Sequence, residues 1–490
     1  MAGVIAFGAY VPRLRLQRSV VVAANAWFNS GLNALRAGER SMCGWDEDVV
    51  TMAVEAARDC LADFDRNTLS KVVLASTTAP FADRQNAGIV KEALNLPDDV
   101  GAMDVGGSQR AGASALIDAF QAAAGGGGPI LCLAAEKRHA APASTQELTT
   151  GDAAGAILVG PQDGLAKLLA SHSVTVDFVD HFRAAQGQDT DYEWEARWVR
   201  EEGYAKLTPP AVAAALKKAN IAPDKVDRFI MPSPMKGVDA AVARACGVRA
   251  EAVQNNLADV MGDAGPAQAL IMLAHALESA KVGDIIVVVG FGSGCDVLVL
   301  AVTAEAPASA ARMGVSGWLV RRKPETNYVK YLSFNGHIQL DLGMRAEFDQ
   351  KTFMPALYRG RRAILALVGG RCPKTGSVQF PKSLIGVAQN ERVTGPQEDY
   401  PLADRLARIV THTADSLTFW PDPPNYYGAL DFEEGGRLTT SFADLEPEDI
   451  FVGAPMRMMF RIQALDGLRH FTKYFWKAVP DYRAQTTKAA

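Results

Sequence analysis

A glycine-rich turn followed by a helix of small residues, within residues 104–120, constrains the fold of this chain more than any other stretch. The glycines at 106–107 lack a Cβ and permit a sharp turn, and the small residues at 111–115 allow the helix to pack deep inside a protein. Unpaired N–H groups at the first helical turn would lower the pKa of a thiol there and make it a nucleophile. The chain instead places Gln109 at this point. Its neighbours are Ser108 and Arg110.

Alternating strand and helix patterns around this stretch predict a layered α/β fold. An apolar run that ends in a polar turn occurs at residues 71–80 and again at 228–234. Each run is followed by a helix, a glycine-containing turn and a second helix, which indicates an internal duplication with halves at 1–165 and 166–305. An insertion near 177–205, called the cap insertion below, is rich in aromatic and charged residues and predicts a packing helix.

The pattern changes after residue 305. Residues 306–325 include a stretch of small residues and proline, which predicts a linker. Short alternating runs then follow, separated by turns such as Glu434–Gly436. They predict a small antiparallel β-barrel within residues 326–490.

Composition excludes several classes of protein. The net charge of −5 at pH 7 gives no basic surface for nucleic acid, and apolar runs such as residues 285–289 are too short to span a bilayer. The N-terminus has no signal-peptide pattern, and the six cysteines lack paired spacing. These features predict a cytoplasmic protein with buried thiols and without a disulfide framework.

Several stretches together resemble 3-hydroxy-3-methylglutaryl-CoA synthase, which belongs with β-ketoacyl-ACP synthase III in the thiolase-like superfamily. The matching stretches are Gly8–Pro12, Gly44–Ala57, Glu147–Gly155 and Gly290–Gly294. They follow the family order across most of residues 1–305, so the resemblance implies a duplicated, five-layer thiolase-like α/β fold. Residues 312–490 are similar to the zinc-ribbon and OB-fold module that accompanies thiolases and these synthases.

The resemblance implies four catalytic positions, and this chain carries a different residue type at each. The family's nucleophilic cysteine falls on Gln109, its general-base glutamate on Thr77 and its histidine on Pro232. Its glycine–asparagine pair falls on Gly262–Asp263. Glutamine and threonine replace neither a thiolate nor a carboxylate base, and proline has no side-chain donor. The substitutions predict that ordinary cysteine-mediated condensation is absent.

The related zinc ribbon is also incomplete in this chain. Such a ribbon uses four ligands, usually from two Cys-x-x-Cys pairs. Cys372–Thr375 retains one cysteine and residues 387–393 supply none, so we predict no metal and a packed thiol at Cys372. The resemblance further implies a homodimer through the synthase-like domain, with a thiolase as an alternative partner subunit.

Three functions agree with these substitutions. The first is carbon–carbon bond formation or cleavage on a CoA thioester, without a covalent intermediate or a tightly bound cofactor. The second is decarboxylation with Gln109 at the cysteine position, and the third is a silent CoA-binding or scaffolding subunit.

Candidate acid/base groups are Asp263, His139 and the tyrosines of the cap insertion, although a helix cap at Asp263 and a solvated loop at His139 are structural alternatives. Candidate substrate-binding residues are Ser108, Arg110, Ser233 and Lys236. Arg110 is the residue that we expect to grip a carboxylated acyl group, because a guanidinium binds a carboxylate through two hydrogen bonds.

Overall fold

The structure is a computed structural model that describes residues 2–185, 187–309, 311–343, 351–388 and 392–483. These residues group into two compact units. The first unit comprises the described residues of 1–44, 48–88 and 97–338, and the second comprises those of 45–47, 89–96 and 339–490. All of the candidate site residues named above lie in the first unit.

Strands and helices alternate through the first unit, as the sequence predicts. Its strands are β1 (Gly3–Tyr10), β2 (Leu14–Gln17), β3 (Glu39–Met42), β4 (Lys71–Ala75), β5 (Gly101–Val105), β6 (Ile130–Glu136), β7 (Ala153–Gly160), β8 (Ala166–Thr175), β9 (His181–Phe182), β10 (Tyr192–Glu193), β11 (Arg228–Ile230), β12 (Ile285–Phe291), β13 (Gly294–Val302) and β14 (Lys323–Glu325).

The α-helices that begin before residue 340 are α1 (Arg18–Asn25), α2 (Val49–Leu61), α3 (Asn86–Ala93), α4 (Ala111–Ala124), α5 (Gln146–Thr149), α6 (Ala196–Trp198), α7 (Ala205–Ala219), α8 (Val238–Ala245), α9 (Gln268–Leu277), α10 (Gly314–Val320) and α11 (Tyr328–Phe334). In the cap insertion, α6 leads into a π-helical segment, Val199–Tyr204, and then directly into α7. The packing helix predicted there is therefore real, but it starts after the β9–β10 hairpin. None of the helices in the described ranges is long and apolar enough to cross a membrane.

A nine-stranded mixed sheet organises the first unit, in the order β11-β12-β13-β8-β1-β7-β6-β4-β5. On one side of the β1–β8 contact, β7 pairs antiparallel with β6, which pairs parallel with β4. On the other side, β13 pairs antiparallel with β12, which pairs parallel with β11. The two sides of the sheet therefore repeat one succession of pairings, antiparallel and then parallel.

The first residues of the two small-residue helices, α4 and α9, lie next to the candidate site. Gly112 in α4 has no room for a side chain, because an ideal Cβ would lie 2.1 Å from the carbonyl oxygen of Pro266. Ala113 and Ala269 are also buried. Small residues thus bring the two helices close together, and this close approach fixes the turns that precede them.

The predicted linker at 306–325 is partly folded onto the first unit. It contains α10, and β14 pairs in parallel with β2. Trp318 is buried against Tyr10, with their ring centroids 4.8 Å apart. The small residues of this stretch gave no indication that Trp318 is buried. The first unit extends to residue 338.

The second unit contains two antiparallel sheets. The smaller has the order β16-β15-β17, and the larger has the order β20-β19-β18-β21-β22. Their strands are β15 (Val368–Arg371), β16 (Val378–Gln379), β17 (Glu398–Pro401), β18 (Ala407–Asp415), β19 (Asn425–Phe432), β20 (Arg437–Ser441), β21 (Pro455–Asp466) and β22 (Phe471–Pro480), and the helices are α12 (Met354–Arg359) and α13 (Arg361–Ile364). Cys372 is buried at the turn between β15 and β16.

Candidate functional site

The turn before α4 places Gln109 between two recesses. Gly107 adopts a φ of +81°, which lets the chain reverse before the helix. Gln109 lines an enclosed cavity of about 70 Å³, called the inner cavity below. It also lines an open cleft of about 520 Å³, called the outer cleft. The residue predicted at the family's nucleophile position therefore lies where the two recesses meet.

A histidine from the cap insertion faces Gln109. The Nε2 atom of His181 lies 2.9 Å from the Nε2 atom of Gln109, and its Nδ1 atom lies 3.1 Å from Oδ2 of Asp180. Asp180 and His181 line both the inner cavity and the outer cleft. When Nδ1 carries the proton that Asp180 accepts, Nε2 presents its lone pair to the Gln109 amide. The arrangement is that of a histidine oriented by a carboxylate.

Asp263 forms another part of the inner cavity. Its backbone N–H donates to Thr149 O and its carbonyl accepts from Gly151 N–H, both over 2.9 Å. Its Oδ1 atom accepts a 2.8 Å hydrogen bond from the N–H of Gly265, two residues further along the chain. This contact stabilises the turn before α9, but it is not the helix cap expected as an alternative, because Ala264 and Ala267 occupy the N-cap positions there. Burial raises the pKa of Asp263, so the carboxyl retains its proton to a higher pH than an exposed aspartate.

Arg138 is a buried cation beside these groups and also lines the inner cavity. Its backbone N–H donates to Oδ1 of Asp152 over 3.0 Å, which fixes the chain just beyond β6. Its Nη2 atom lies 3.1 Å from Oδ2 of Asp191, whereas Nη1 lies 3.9 Å from Oε1 of Glu136. The Nε and Nη1 atoms are buried without a hydrogen-bond partner.

Thr77, predicted to lie at the family's base position, lines the outer cleft. The carboxylate of Glu136, the last residue of the neighbouring strand β6, contacts Thr77. It accepts a hydrogen bond from the Thr77 hydroxyl and another, over 2.9 Å, from the Thr77 backbone N–H. Ser76 Oγ donates to the same carboxylate over 3.0 Å. Glu136 is fully buried, and burial raises its pKa. The site therefore holds a carboxylate that the sequence pattern did not place there.

The predicted substrate anchor, Arg110, lines the inner cavity, but its guanidinium is already engaged. Nη1 donates to Val174 O over 2.7 Å, and Nη2 donates to the Thr175 hydroxyl over 2.8 Å. Nη1 also lies 3.3 Å from Oδ1 of Asp296. These contacts fasten the turn before α4 to β8 and β13. The carboxylate-binding role of Arg110 stays a prediction.

The remaining candidates are dispersed. Ser108 lines the outer cleft and donates from Oγ to Gly292 O over 2.8 Å. Ser233 is buried, and its hydroxyl donates a hydrogen bond to Met235 O over 3.3 Å. Lys236 is exposed. Neither residue lines the inner cavity or the outer cleft. His139 is exposed, and its Nδ1 lies 2.9 Å from Asp189 O.

Two cap tyrosines have different surroundings. Tyr204 is buried in the lining of the inner cavity, where its ring stacks on Phe291 with centroids 4.0 Å apart, and burial raises its pKa. Tyr192 is half exposed on the β9–β10 hairpin. Only Tyr204 is close to the other acid/base candidates.

Sequence reasoning missed His181 and Arg138, two basic groups that line the inner cavity together with Gln109. The Asp180–His181 dipeptide lies in an insertion that was interpreted as a packing helix. Arg138 follows a strand as part of a charged loop, a position typical of exposed residues. The ends of strands β4 and β6 lie side by side, and this adjacency was the signal that could have directed attention to Glu136 and Arg138.

In the part of the chain that the structure describes, histidine, cysteine, aspartate and glutamate side chains form no group of three or more suited to a metal ion. Residues 389–391, within the second predicted ribbon segment, lie outside the described residues. The metal-free second unit therefore remains a prediction.

Comparison with known proteins adds sequence and structural relatives. Residues 216–303 match the family described as 3-oxoacyl-[acyl-carrier-protein] synthase III C terminal. The hydroxymethylglutaryl-CoA synthase of Methanobrevibacter smithii is 27% identical over 354 residues, which is 69% of this chain and 100% of that protein. The corresponding synthase of Aeropyrum pernix is 28% identical over 344 residues, which is 69% of this chain and 95% of that protein.

Solved structures agree with this relationship at the level of the fold. A crystal structure of an HMG-CoA synthase complexed with CoA matches with a TM-score of 0.59 and 18% identity, over 72% of this chain and 94% of that one. The 3-oxoacyl-[acyl-carrier-protein] synthase III of Aquifex aeolicus matches with a TM-score of 0.55 and 21% identity, over 61% of this chain and 100% of that one. The chain therefore has the thiolase-like α/β fold and resembles hydroxymethylglutaryl-CoA synthases and 3-oxoacyl-ACP synthase III in sequence.

Proposed function

We propose that this chain binds a CoA thioester and forms or cleaves a carbon–carbon bond next to the thioester carbonyl, without a covalent acyl-enzyme. The observation that carries the proposal is the contact of Gln109 with the Asp180–His181 pair where the two recesses meet. Related proteins that are named as CoA-dependent synthases, one of them crystallised with CoA, support the choice of thioester.

Acid/base chemistry suits these residues better than nucleophilic chemistry. A glutamine side chain cannot form a thioester, because its amide is a donor and acceptor but not a nucleophile. The buried thiol of Cys295 in β13 is a poor substitute, because burial raises its pKa to about 12 and leaves almost no thiolate at neutral pH. A histidine oriented by a carboxylate is an effective proton acceptor near pH 7.

In the cleavage direction, His181 takes the proton of a β-hydroxyl group on the acyl chain. The α–β carbon bond breaks, its electron pair moves to the thioester as an enolate, and the β-carbon leaves as an aldehyde or ketone. A proton then returns to the α-carbon to give the shortened thioester. Asp263, with its raised pKa, is the candidate donor. The step balances without a further reactant, and condensation is its reverse.

The test is product analysis with a panel of 3-hydroxyacyl-CoA thioesters. We expect the wild-type protein to release a shortened acyl-CoA and a carbonyl compound, with turnover reduced at least about 100-fold in His181→Gln. His412→Gln, at an exposed position of the second unit, is the matched control and should retain activity. Binding without turnover would favour the silent subunit, and release of carbon dioxide from a carboxylated acyl-CoA would favour the decarboxylase.

We further infer that the second unit contains an OB-fold. The five strands of its larger sheet lie side by side in the order β20-β19-β18-β21-β22. In chain order these are the third, second, first, fourth and fifth strands of the sheet. A parallel bridge between Phe442 and Ala478 links the end of β20 to β22, as closure of a barrel requires. The N–H of Ala443 donates to Ala478 O over 2.8 Å. Hydrogen exchange should show this amide protected; rapid exchange would argue for an open sheet.

The homodimer and the thiolase partner subunit are proposals about assembly. The relatives named above supply the resemblance on which both rest. Light scattering and co-purification distinguish them, because a homodimer forms from this chain alone.

A further inference from the structure

We propose that Arg138 binds a carboxylate at the far end of a short acyl chain in the inner cavity, so that the preferred ligands are CoA monothioesters of small dicarboxylic acids. This inference rests on the proposed CoA-thioester function and specifies its substrate class. It assigns the anchoring role to a residue other than Arg110.

The first support is a buried cation that is ion-paired with Asp191 and Glu136 but has two donor atoms without a hydrogen bond. Arg138 is 7% exposed, and both its Nε and its Nη1 atoms are buried without a hydrogen-bond partner. Unpaired buried donors of a charged group cost folding free energy, and their persistence in a cavity wall indicates a ligand that pairs with them. The Oε1 atom of Gln109 is also buried and unpaired, on another part of the same wall.

The second support is a close approach that glycine permits. An ideal Cβ on Gly265 would lie 2.7 Å from Nη1 of Arg138 and 2.2 Å from Oε1 of Gln109. The absence of a side chain at position 265 therefore lets these two atoms reach the wall of the inner cavity next to the turn before α9. Gly265 also has a φ of +53°, which further favours glycine there.

The carboxylates that contact the Arg138 guanidinium leave some of its N–H groups able to bind a further anion. Asp191 is shared between two guanidiniums, with Nη2 of Arg138 at 3.1 Å and Nη1 of Arg183 at 2.6 Å. Glu136 receives hydrogen bonds from Thr77 and from Ser76. These partners hold Arg138 in place through Nη2 and, at the longer distance of 3.9 Å, through Nη1, while Nε and Nη1 make no hydrogen bond that a ligand would have to replace.

The other acidic groups of the cavity have their own partners or lie near its margin. Asp180 is paired with His181, and Asp263 accepts from the N–H of Gly265. Glu193 lines the cavity from the β9–β10 hairpin, and burial of its carboxyl raises its pKa, so it keeps its proton to a higher pH than a free glutamate. A bound carboxylate would therefore meet the two donor atoms of Arg138 that make no hydrogen bond.

Size defines the length of the acyl group. A cavity of about 70 Å³ holds a carboxylate and a few carbon atoms, whereas the outer cleft of about 520 Å³ is large enough for a segment of the pantetheine arm. Because Gln109 and His181 line both spaces, a ligand that spans them presents its reacting carbons to His181. A long or branched chain would not fit the inner cavity.

The experiment compares succinyl-CoA with butyryl-CoA, which share a four-carbon chain but differ in the terminal charge. Calorimetric titration of the wild-type chain should show succinyl-CoA binding at least about tenfold more tightly, as expected for a charge-assisted hydrogen bond. Arg138→Gln should abolish this preference while butyryl-CoA still binds. The control Arg197→Met removes an exposed guanidinium from the cap insertion and should keep the preference.

A second variant keeps the inference testable if the Arg138→Gln protein does not fold. Gly265→Ala keeps the Arg138 side chain but forces Nη1 of Arg138 and Oε1 of Gln109 to move away from the added Cβ, so it should lose the preference for succinyl-CoA as well. Equal wild-type affinities for the two thioesters would overturn the inference and leave the proposed function intact, as would a preference that survives in both variants. Failure of both thioesters to bind the wild-type chain would refute the proposed function itself.

Discussion

Replacement of Gly112 by alanine tests how the small-residue helix positions the site. The added Cβ would lie 2.1 Å from the backbone carbonyl oxygen of Pro266, 3.1 Å from Cβ of Ala134 and 3.2 Å from Cδ1 of Leu270. Carbon and oxygen atoms that are not bonded rarely approach within about 3 Å, so α4 must move by roughly 1 Å. Because the obstructing atom belongs to the backbone, rotation of a side chain cannot relieve the contact.

The expected magnitude follows from two opposing effects. Overpacking of a close-packed core costs about 1–3 kcal/mol, and the backbone obstruction places this variant near 3 kcal/mol. Gly112 is the second residue of α4, so the helix propensity that alanine adds there is at most the interior value of about 1 kcal/mol. The net loss in the free energy of unfolding should therefore be about 2 kcal/mol. Since Gln109 lies just before α4, the same movement should weaken its contact with His181 and reduce binding of a CoA thioester.

Thermal unfolding measured by calorimetry gives the stability of the first unit, and thioester titration gives the effect on the site. Asp118→Ala, on the exposed face of α4, is the matched control, because it adds the helix propensity of alanine without a buried contact. That control should be unchanged or slightly stabilised. A Gly112→Ala protein as stable as the wild type would refute the reasoning that the contact between α4 and Pro266 fixes the helix.

The remaining predictions concern chemistry, pH, metal and assembly. Radiolabelled acetyl-CoA should leave a peptide spanning residues 100–125 unlabelled, because Gln109 forms no thioester; stable label there would contradict this. Burial alone would raise the pKa of Asp466, but hydrogen bonds from Thr352 and Arg469 hold it at about 2. Its ionised form therefore stabilises the second unit above about pH 4, and stability is lost as the pH falls towards 2; Asp466→Asn should lessen that loss in acid-unfolding experiments. Elemental analysis should find no zinc, since Cys372 is the single cysteine left from the ribbon pattern; stoichiometric zinc would indicate other ligands. Light scattering should report a homodimer rather than a 52.3 kDa monomer.

The duplicated sheet and its glycine turns were accessible from sequence because they depend on local rules. Apolar runs that end in polar turns predicted β4 and β11, and a run of small residues predicted α4. Such patterns arise from burial on both faces of a sheet and from the close approach of helices, which restrict residue type at regular spacings. The sequence did not predict that residues 306–325 pack onto the first unit. Their main buried contact comes from Trp318, and a single buried residue produces no periodic pattern that could indicate packing.

The composition of the site was less accessible, because it depends on contacts between distant segments. His181 and Gln109 are 72 positions apart, and Thr77 and Glu136 are 59 apart. Alignment with family motifs identified positions where catalytic residues were expected, but it could not identify groups supplied from other strands. The Thr77–Glu136 contact is an example, since the carboxylate comes from β6 while the motif position is at the end of β4.

The geometry of the first unit suggests why the groups around this site differ from those that the family resemblance implied while the fold is the same. Gln109 and Asp263 precede α4 and α9, corresponding helices of the two halves, and the backbone contact at Gly112 leaves those helices little freedom to move. A segment outside the close-packed core can supply an additional basic group to the site without moving these helices. The β9–β10 hairpin of the cap insertion is such a segment, and it carries His181 to within 2.9 Å of Gln109. The core of the first unit therefore shapes the recesses, and under the proposed function the insertion supplies the group that transfers protons in them.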